Sequence, residues 1–261
     1  MHVRRLPLRS SGDGNDPGET VMARTLALAA TLMLASTAAL ADPGYYLVTV
    51  YENEGKANID FRYWDVRFPR STVKWPEIGI GYGVTKRWYT ALLASYVTSP
   101  GTPVSLDTQQ WQNDFLLTQG QYDFDLALHT NLIHEKYDGE NTIEFGPVFQ
   151  TEIGRMQLNG NLFFDRGLAA GSSTTPELKY QWQAKYRWKP AFQFGLRGFG
   201  EVGPWNNWAP RSRQSHRAGP MISGAIPFGT SDSFNYEAAF LFGSAYSTHA
   251  DMLTLRLQYE F

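Results

Sequence analysis

The sequence predicts an all-β chain, a transmembrane antiparallel up-and-down β-barrel of about 12 strands. Three observations lead there. Large apolar and polar residues alternate in one segment after another. Tight connections between these segments alternate with long ones. The 261 residues are 15% aromatic, yet no apolar stretch after Asp42 is long enough for a spanning helix.

The first 41 residues are read apart from the fold. Residues 1–21 are polar and rich in breakers, and Met22 is the expected true start. Residues 22–41, "MARTLALAATLMLASTAALA", carry Arg24, an apolar run and a small-residue end. That is the pattern of a secretory signal peptide, with cleavage expected after Ala39-Leu40-Ala41 and before Asp42. Residues 42–261 are the expected outer-membrane barrel. The chain has no cysteine, which excludes a disulfide framework and any thiolate metal site. A net charge of −2 gives no reason to expect nucleic acid as a partner.

Successive side chains of a strand point to opposite faces, so alternation gives each strand one apolar and one polar face. "ELKYQWQAKYRW" is the clearest case, with Tyr180, Trp182 and Tyr186 set against Lys179, Gln181, Gln183, Lys185 and Arg187. The segments run near Ala57–Phe68, Lys74–Val84, Arg87–Thr98, Leu106–Thr118, Gln121–His134, Asn141–Glu152, Arg155–Asp165, Pro176–Trp188, Ala191–Gly203, Ser215–Phe228, Ser233–Ser247 and Ala250–Phe261. Tyr45–Glu52 is a thirteenth strand or a periplasmic lead-in.

"TK", "QGQ", "IGR" and "KPA" make the tight turns, while "SPGTPVS", "EKYDGE", "RGLAAGSSTT" and "EVGPWNNWAPRSRQ" make the long loops. Outer-membrane barrels alternate short periplasmic turns with longer external loops in this way. A soluble sandwich would favour Val, Ile and Leu in its core, whereas the eighth segment offers Tyr and Trp. Aromatic residues at strand ends suit the girdles at membrane interfaces.

The last segment alternates Leu253, Leu255, Leu257, Tyr259 and Phe261 with polar residues. It resembles the C-terminal signature of Gram-negative outer-membrane β-barrel proteins. The resemblance implies a Gram-negative source, outer-membrane lipid around the barrel and recognition by the barrel assembly machinery; the signal peptide at residues 22–41 sets the expectation of Sec-type export. "WQNDFLLTQGQYDFDLALHT" and "APRSRQSHRAGP" are also similar to exported proteins of proteobacteria, which implies no activity.

Chemistry could reside at the external rim or in the lumen. Ser212, Ser215 and His216 lie together in sequence, as do Ser247, His249 and Asp251. His216, His249 and Asp251 are the candidates for a rim hydrolase of lipid or peptide. His216 and His249 fall on strands two apart, about 10 Å by strand spacing, and a nucleophile needs its base within hydrogen-bond reach. No His pair has metal-ligand spacing on one strand face, so neither metal nor cofactor is expected.

The inward faces are more informative. Asp114, Asp123, Asp125, Glu144 and Glu152 make strands four to six acidic. Lys179, Lys185, Arg187, Arg197 and Arg217 make strands eight to ten basic, and Arg256 extends that side. Such a transverse field would orient small polar solutes in a narrow pore. The same charges could instead close the lumen with ion pairs. Gly79, Gly81 and Gly83 leave inward space there, or admit a loop or the N-terminal segment. The expected function is passive passage of small polar solutes; the alternatives are a rim enzyme and a structural or adhesive barrel acting through its loops.

Overall fold

Twelve long strands follow the alternation closely. The computed structural model describes residues 45–50, 54–137, 139–169, 173 and 175–261. The strands are β1 (Ala57–Phe68), β2 (Ser71–Thr85), β3 (Trp88–Val97), β4 (Ser105–Leu116), β5 (Phe124–Glu135), β6 (Asn141–Ile153), β7 (Met156–Gly167), β8 (Glu177–Lys189), β9 (Phe192–Pro204), β10 (Ser215–Phe228), β11 (Asp232–Ala245), the two-residue β12 (Thr248–His249) and β13 (Asp251–Glu260). Each long strand pairs antiparallel with its neighbour in sequence. β13 pairs with both β11 and β1, through Phe240↔Leu253 and Phe61↔Leu257 for example, so the sheet closes on itself. Closure leaves no unpaired edge, which is what lets a sheet sit in lipid. The expected signal peptide, its cleavage site at Ala39, Ala41 and Asp42, and residues 1–21 lie outside the described residues.

The two faces of the wall differ as the alternation requires. Ile59, Phe61, Ile78, Ile80, Leu92, Leu128, Leu162 and Leu196 are exposed on the outside. Asp60, Arg62, Glu77, Gln110, Gln112, His129, Asn131, Gln150, Gln183 and Arg197 are buried on the inside. At the end with the short turns aromatic rings stack in pairs: Trp88 with Phe115 across β3 and β4, and Tyr259 with Phe261 along the closing strand. These form the interfacial girdle of an outer-membrane barrel.

Three details depart from the sequence expectation. The β4–β5 connection runs from Leu117 to Asp123 and is longer than "QGQ". The N–H groups of Leu117 and Thr118 both donate to Leu126 O, at 2.8 and 3.1 Å, so the regular ladder ends there. β11 ends at Ala245, because Tyr246 and Ser247 have φ of 49° and 72° and form a two-residue hairpin turn. Gly79 and Gly81 of β2 leave no space, whereas Gly83 borders the polar recess of the lumen. A Cβ on Gly81 would meet Tyr89 Oη at 2.0 Å, and one on Gly79 would meet Leu93 Cδ2 at 2.8 Å. The two larger side chains of β3 occupy that volume.

Tyr45–Val50, the described part of the expected thirteenth strand or periplasmic lead-in, is neither. The segment belongs to no strand, and five of its six residues are buried. It lies inside the barrel.

Candidate functional site

The site is the lumen, built from inward-facing side chains of every long strand. On β1, β2 and β13 these form one buried ion network. Arg62 pairs with Asp60 at 2.8 Å and with Glu77 at 3.0 Å. Arg256 reaches Asp60 at 2.8 Å, and Gln110 Nε2 donates to the second Glu77 oxygen at 2.9 Å. Buried charges survive only when paired and hydrogen-bonded in this way. On β9 and β11, Arg197 pairs with Glu237 at 2.5 Å and donates to Gln183 Oε1 at 2.6 Å.

The acidic side follows β4 to β7. His129 sits between Asp114 and Glu144, with Nδ1 2.5 Å from Asp114 and Nε2 3.3 Å from Glu144. Phe163 packs against the imidazole, with ring centroids 4.8 Å apart. Lys179 joins Glu144 at 3.6 Å and also pairs with Asp165. Gln112 donates through Nε2 to Asp114 at 2.6 Å and accepts through Oε1 from Tyr46 Oη at 2.8 Å. A polar ribbon therefore runs from Lys179 around the wall to Tyr46.

The Tyr45–Val50 segment tracks a single row of opposed residues. The register sets Leu116 against Ala127, Ala127 against Val148, and Val148 against Asn161. It continues from Asn161 to Gln181, Phe199 and Arg217. Leu116 is at the turn end of β4 and Arg217 near the loop end of β10, so the row climbs the barrel, as strand tilt and shear demand. Val50 and Val48 cluster with Leu116, Ala127, Val148 and Phe163. Val48 N donates to Gln181 Oε1 at 3.2 Å, and its carbonyl accepts from Asn161 Nδ2 at 2.9 Å. Tyr45 meets Phe199 edge-on at 5.7 Å, lies 4.8 Å from the Arg217 guanidinium and donates to Glu201 at 2.6 Å. Tyr46 points to the other side, where Arg62 stacks on its ring at 3.5 Å. A polar recess of about 70 Å³ remains beside the segment, lined by Tyr46, Asn58, Tyr89, Asp114, Arg256 and Gln258 among others.

The residues expected in the lumen divide in two. Asp114, Asp125, Glu144, Arg197 and Arg217 are buried there, and Lys179, Lys185 and Arg256 are largely buried. Asp123 is exposed in the β4–β5 connection, because β5 starts only at Phe124. Glu152 and Arg187 pair at 2.7 Å at the turn end and are both more than a third exposed on their side chains or nearly so, at 37% and 35%. Asp60, Arg62, Glu77, Asp165 and Glu237 were not singled out by the sequence reading. The alternation of "NIDFRYW" carries the signal for Asp60 and Arg62.

Of the rim candidates His249 and Asp251 meet, while His216 bonds elsewhere, to Tyr180 and Gln214. His216 is on the outer face, where its Nδ1 is 2.9 Å from Tyr180 Oη, while the neighbouring Ser215 faces inward and accepts from Arg217 at 3.0 Å. His249 pairs with Asp251 at 3.1 Å on the exposed surface. Ser247 donates to the Ser212 carbonyl at 2.7 Å.

No family model and no curated protein matches the sequence. Solved structures do resemble the fold. A NanC porin structure aligns with a TM-score of 0.55 at 8% identity, covering 78% of this chain and 98% of that one. The KdgM porin in complex with disordered oligogalacturonate gives 0.53 at 9% identity, covering 78% and 99%. The COG4313 outer membrane channel from Pseudomonas putida F1 gives 0.54 at 12% identity, covering 84% and 99%. At these identities the likeness is one of fold: the closed antiparallel barrel of outer-membrane porins.

Proposed function

We propose that the chain is an outer-membrane channel of a Gram-negative bacterium for passive passage of small polar solutes. One observation carries this reading: the ring of strands encloses an extra length of backbone, Tyr45–Val50, with a polar recess beside it. Barrels of about eight strands can be filled by their own side chains, and those of about sixteen leave a channel. Here the wall alone does not fill its lumen. What lines the remaining space is hydrogen-bonding and charged, as a solute path requires. The charged inward carboxylates of β4 to β7 face inward residues of β8 to β10 whose charges are mainly basic, so a field crosses the lumen. The porin-like fold supports the reading, as does the apolar outer belt.

The rest of the proposal follows from it. Residues 22–41 direct export and are removed before Asp42. The Leu253-to-Phe261 row faces lipid and is read by the assembly machinery. A rim hydrolase finds less support, since Ser215 and His216 face opposite sides of the wall. A closed structural barrel is the second reading, favoured by the burial of Tyr45–Val50. Single-channel recording on the refolded full-length protein tests the choice. Resolved current steps support the channel, and a correctly folded barrel that never conducts supports the closed barrel.

A further inference from the structure

We infer that the climbing row on the inner wall is a binding site for an extended peptide, and that Tyr45–Val50 is its resident, displaceable occupant. The inference rests on the channel reading for its consequence, which is that the segment plugs the conducting path. It rests on the wall itself for the binding.

The wall departs from its own pattern where the segment lies. Inward positions of an outer-membrane barrel are polar, yet Leu116, Ala127, Val148 and Phe163 are all inward and buried. They sit on four consecutive strands and form an apolar patch in a polar lumen. Left to water, such a patch is unfavourable; Val48 and Val50 cover it. Beyond the patch, the row changes to an amide pair, Asn161 and Gln181. Gln181 Oε1 accepts from both Asn161 Nδ2, at 3.0 Å, and Val48 N, at 3.2 Å, while Asn161 Nδ2 also donates to the Val48 carbonyl at 2.9 Å, so the pair holds the segment's backbone through a shared acceptor and a shared donor. Further up, Phe199 and Arg217 offer an aromatic edge and a cation to the Tyr45 ring. Arg62 and Gln112 offer a cation and an acceptor to Tyr46. The order of the site is therefore apolar, backbone amide, aromatic. An extended peptide with two aromatic residues followed by aliphatic ones matches it, whether supplied by this chain or by another.

The same contacts make the occupant removable. Residues 45–50 add no strand to the sheet. The backbone bonds at Val48 run to side-chain amides, which water can satisfy once the segment leaves. The ion pairs of Arg62 with Asp60 and Glu77 lie within the wall and persist without Tyr46. Leaving exposes the apolar patch and the Phe199 edge, which favours return. A filled and an open state follow, and a ligand for the row shifts their populations.

The test uses full-length protein carrying Y45S, Y46S and V50N together, which removes the segment's anchors and keeps the chain length. Folding is checked by heat-modifiable migration. A fluorescent synthetic peptide of sequence DPGYYLVTV is then titrated by anisotropy, and current is recorded in planar bilayers. Saturable binding to the variant, severalfold weaker binding to wild type and none of a scrambled peptide support the site. Severalfold larger current in the variant, blocked by the peptide, supports the plug. Absence of saturable binding to the folded variant overturns the inference, whatever the current. Binding without current in either protein leaves the peptide site standing and overturns the channel reading. Should the triple variant not fold, the single variant Y46S is assayed in the same way, and its binding decides.

Discussion

The Arg62 guanidinium lies 3.5 Å over the ring of Tyr46 while its nitrogens pair with Asp60 and Glu77. One side chain thus links the wall network to the lumenal segment, and both carboxylates depend on it. Asp60 keeps Arg256 as a partner if Arg62 is lost, but among the described residues Glu77 keeps only Gln110. Arg62→Met is expected to destabilise the barrel by about 3–5 kcal/mol, since breaking a buried pair strands a charge. The urea midpoint of unfolding from lipid vesicles measures this. An unchanged midpoint would mean that the lumen is wet enough to hydrate Glu77.

Val48 reports the position of the segment directly. The chain has no cysteine, so a single introduced thiol is unambiguous. Val48 is 4% exposed and Tyr137 is 99% exposed. In the folded barrel V48C is expected to react with a bulky maleimide far more slowly than Y137C, and equally fast after unfolding. Equal rates in the folded protein would place the segment outside the lumen.

What the sequence made legible follows the physics of alternation. β10 was read to both of its ends, Ser215 and Phe228, with burial alternating from Ser215 to Ala218 and from Met221 to Ser223. The β4–β5 connection was read too short because Leu117 and Thr118 continue the alternation after the ladder has ended; two N–H groups sharing one carbonyl leave no mark on side-chain pattern. Tyr45–Val50 resisted reading for the opposite reason. Its side chains meet the wall on more than one side, at Phe199 and Arg62 for instance, so no polar face is needed and none is written. The charges of β1 were visible in "NIDFRYW", but the charge asymmetry was read from strands four to ten, where Asp60 and Arg62 do not lie. Asp123 was misplaced with the turn, not independently of it.

Trp182 tests which face meets lipid. Its indole lies over Gly198 on the neighbouring strand, where an added Cβ would come within 2.4 Å of Nε1, and its sequence neighbours Gln181 and Gln183 are buried inward. Trp182→Arg is expected to cost up to about 2–4 kcal/mol, the range for a cation near the midplane of the lipid face. Reduced folding yield into vesicles and a lower urea midpoint are the readouts. Normal folding of this variant would refute the assigned face.

Phe261 ends the outward row of the closing strand, and its ring stacks on Tyr259 at 5.7 Å. Its backbone N–H donates to Ala57 O at 2.9 Å, and its carbonyl accepts from Ala57 N at 3.0 Å, so it fastens β13 to β1. Deleting it is expected to lower outer-membrane abundance in cells much more than it lowers refolding in detergent. That difference separates recognition during assembly from the loss of one rung. Equal losses in both would assign the residue to the seam alone, and no loss in cells would show that the terminal aromatic is not read.

Lys185 decides between an open and a closed lumen. It faces inward between Gln157 and Gly195, with Glu237, Arg197, Arg187 and Glu152 as the surrounding charges. Lys185→Glu reverses one charge on the basic side and places it near Glu237. Folding is expected to survive, because a lumenal charge can be hydrated where a lipid-facing one cannot. In a conducting barrel the substitution weakens the field that favours anions on that side, so cation selectivity rises. The shift is larger at about 0.01 M salt than at about 1 M, where screening confines each charge to roughly 3 Å. Reversal potential across a salt gradient gives both the sign and the salt dependence. A shift toward anions, or one that does not diminish with salt, would show that Lys185 does not line the conducting path. In a closed barrel the same variant loses unfolding stability and shows no current to select.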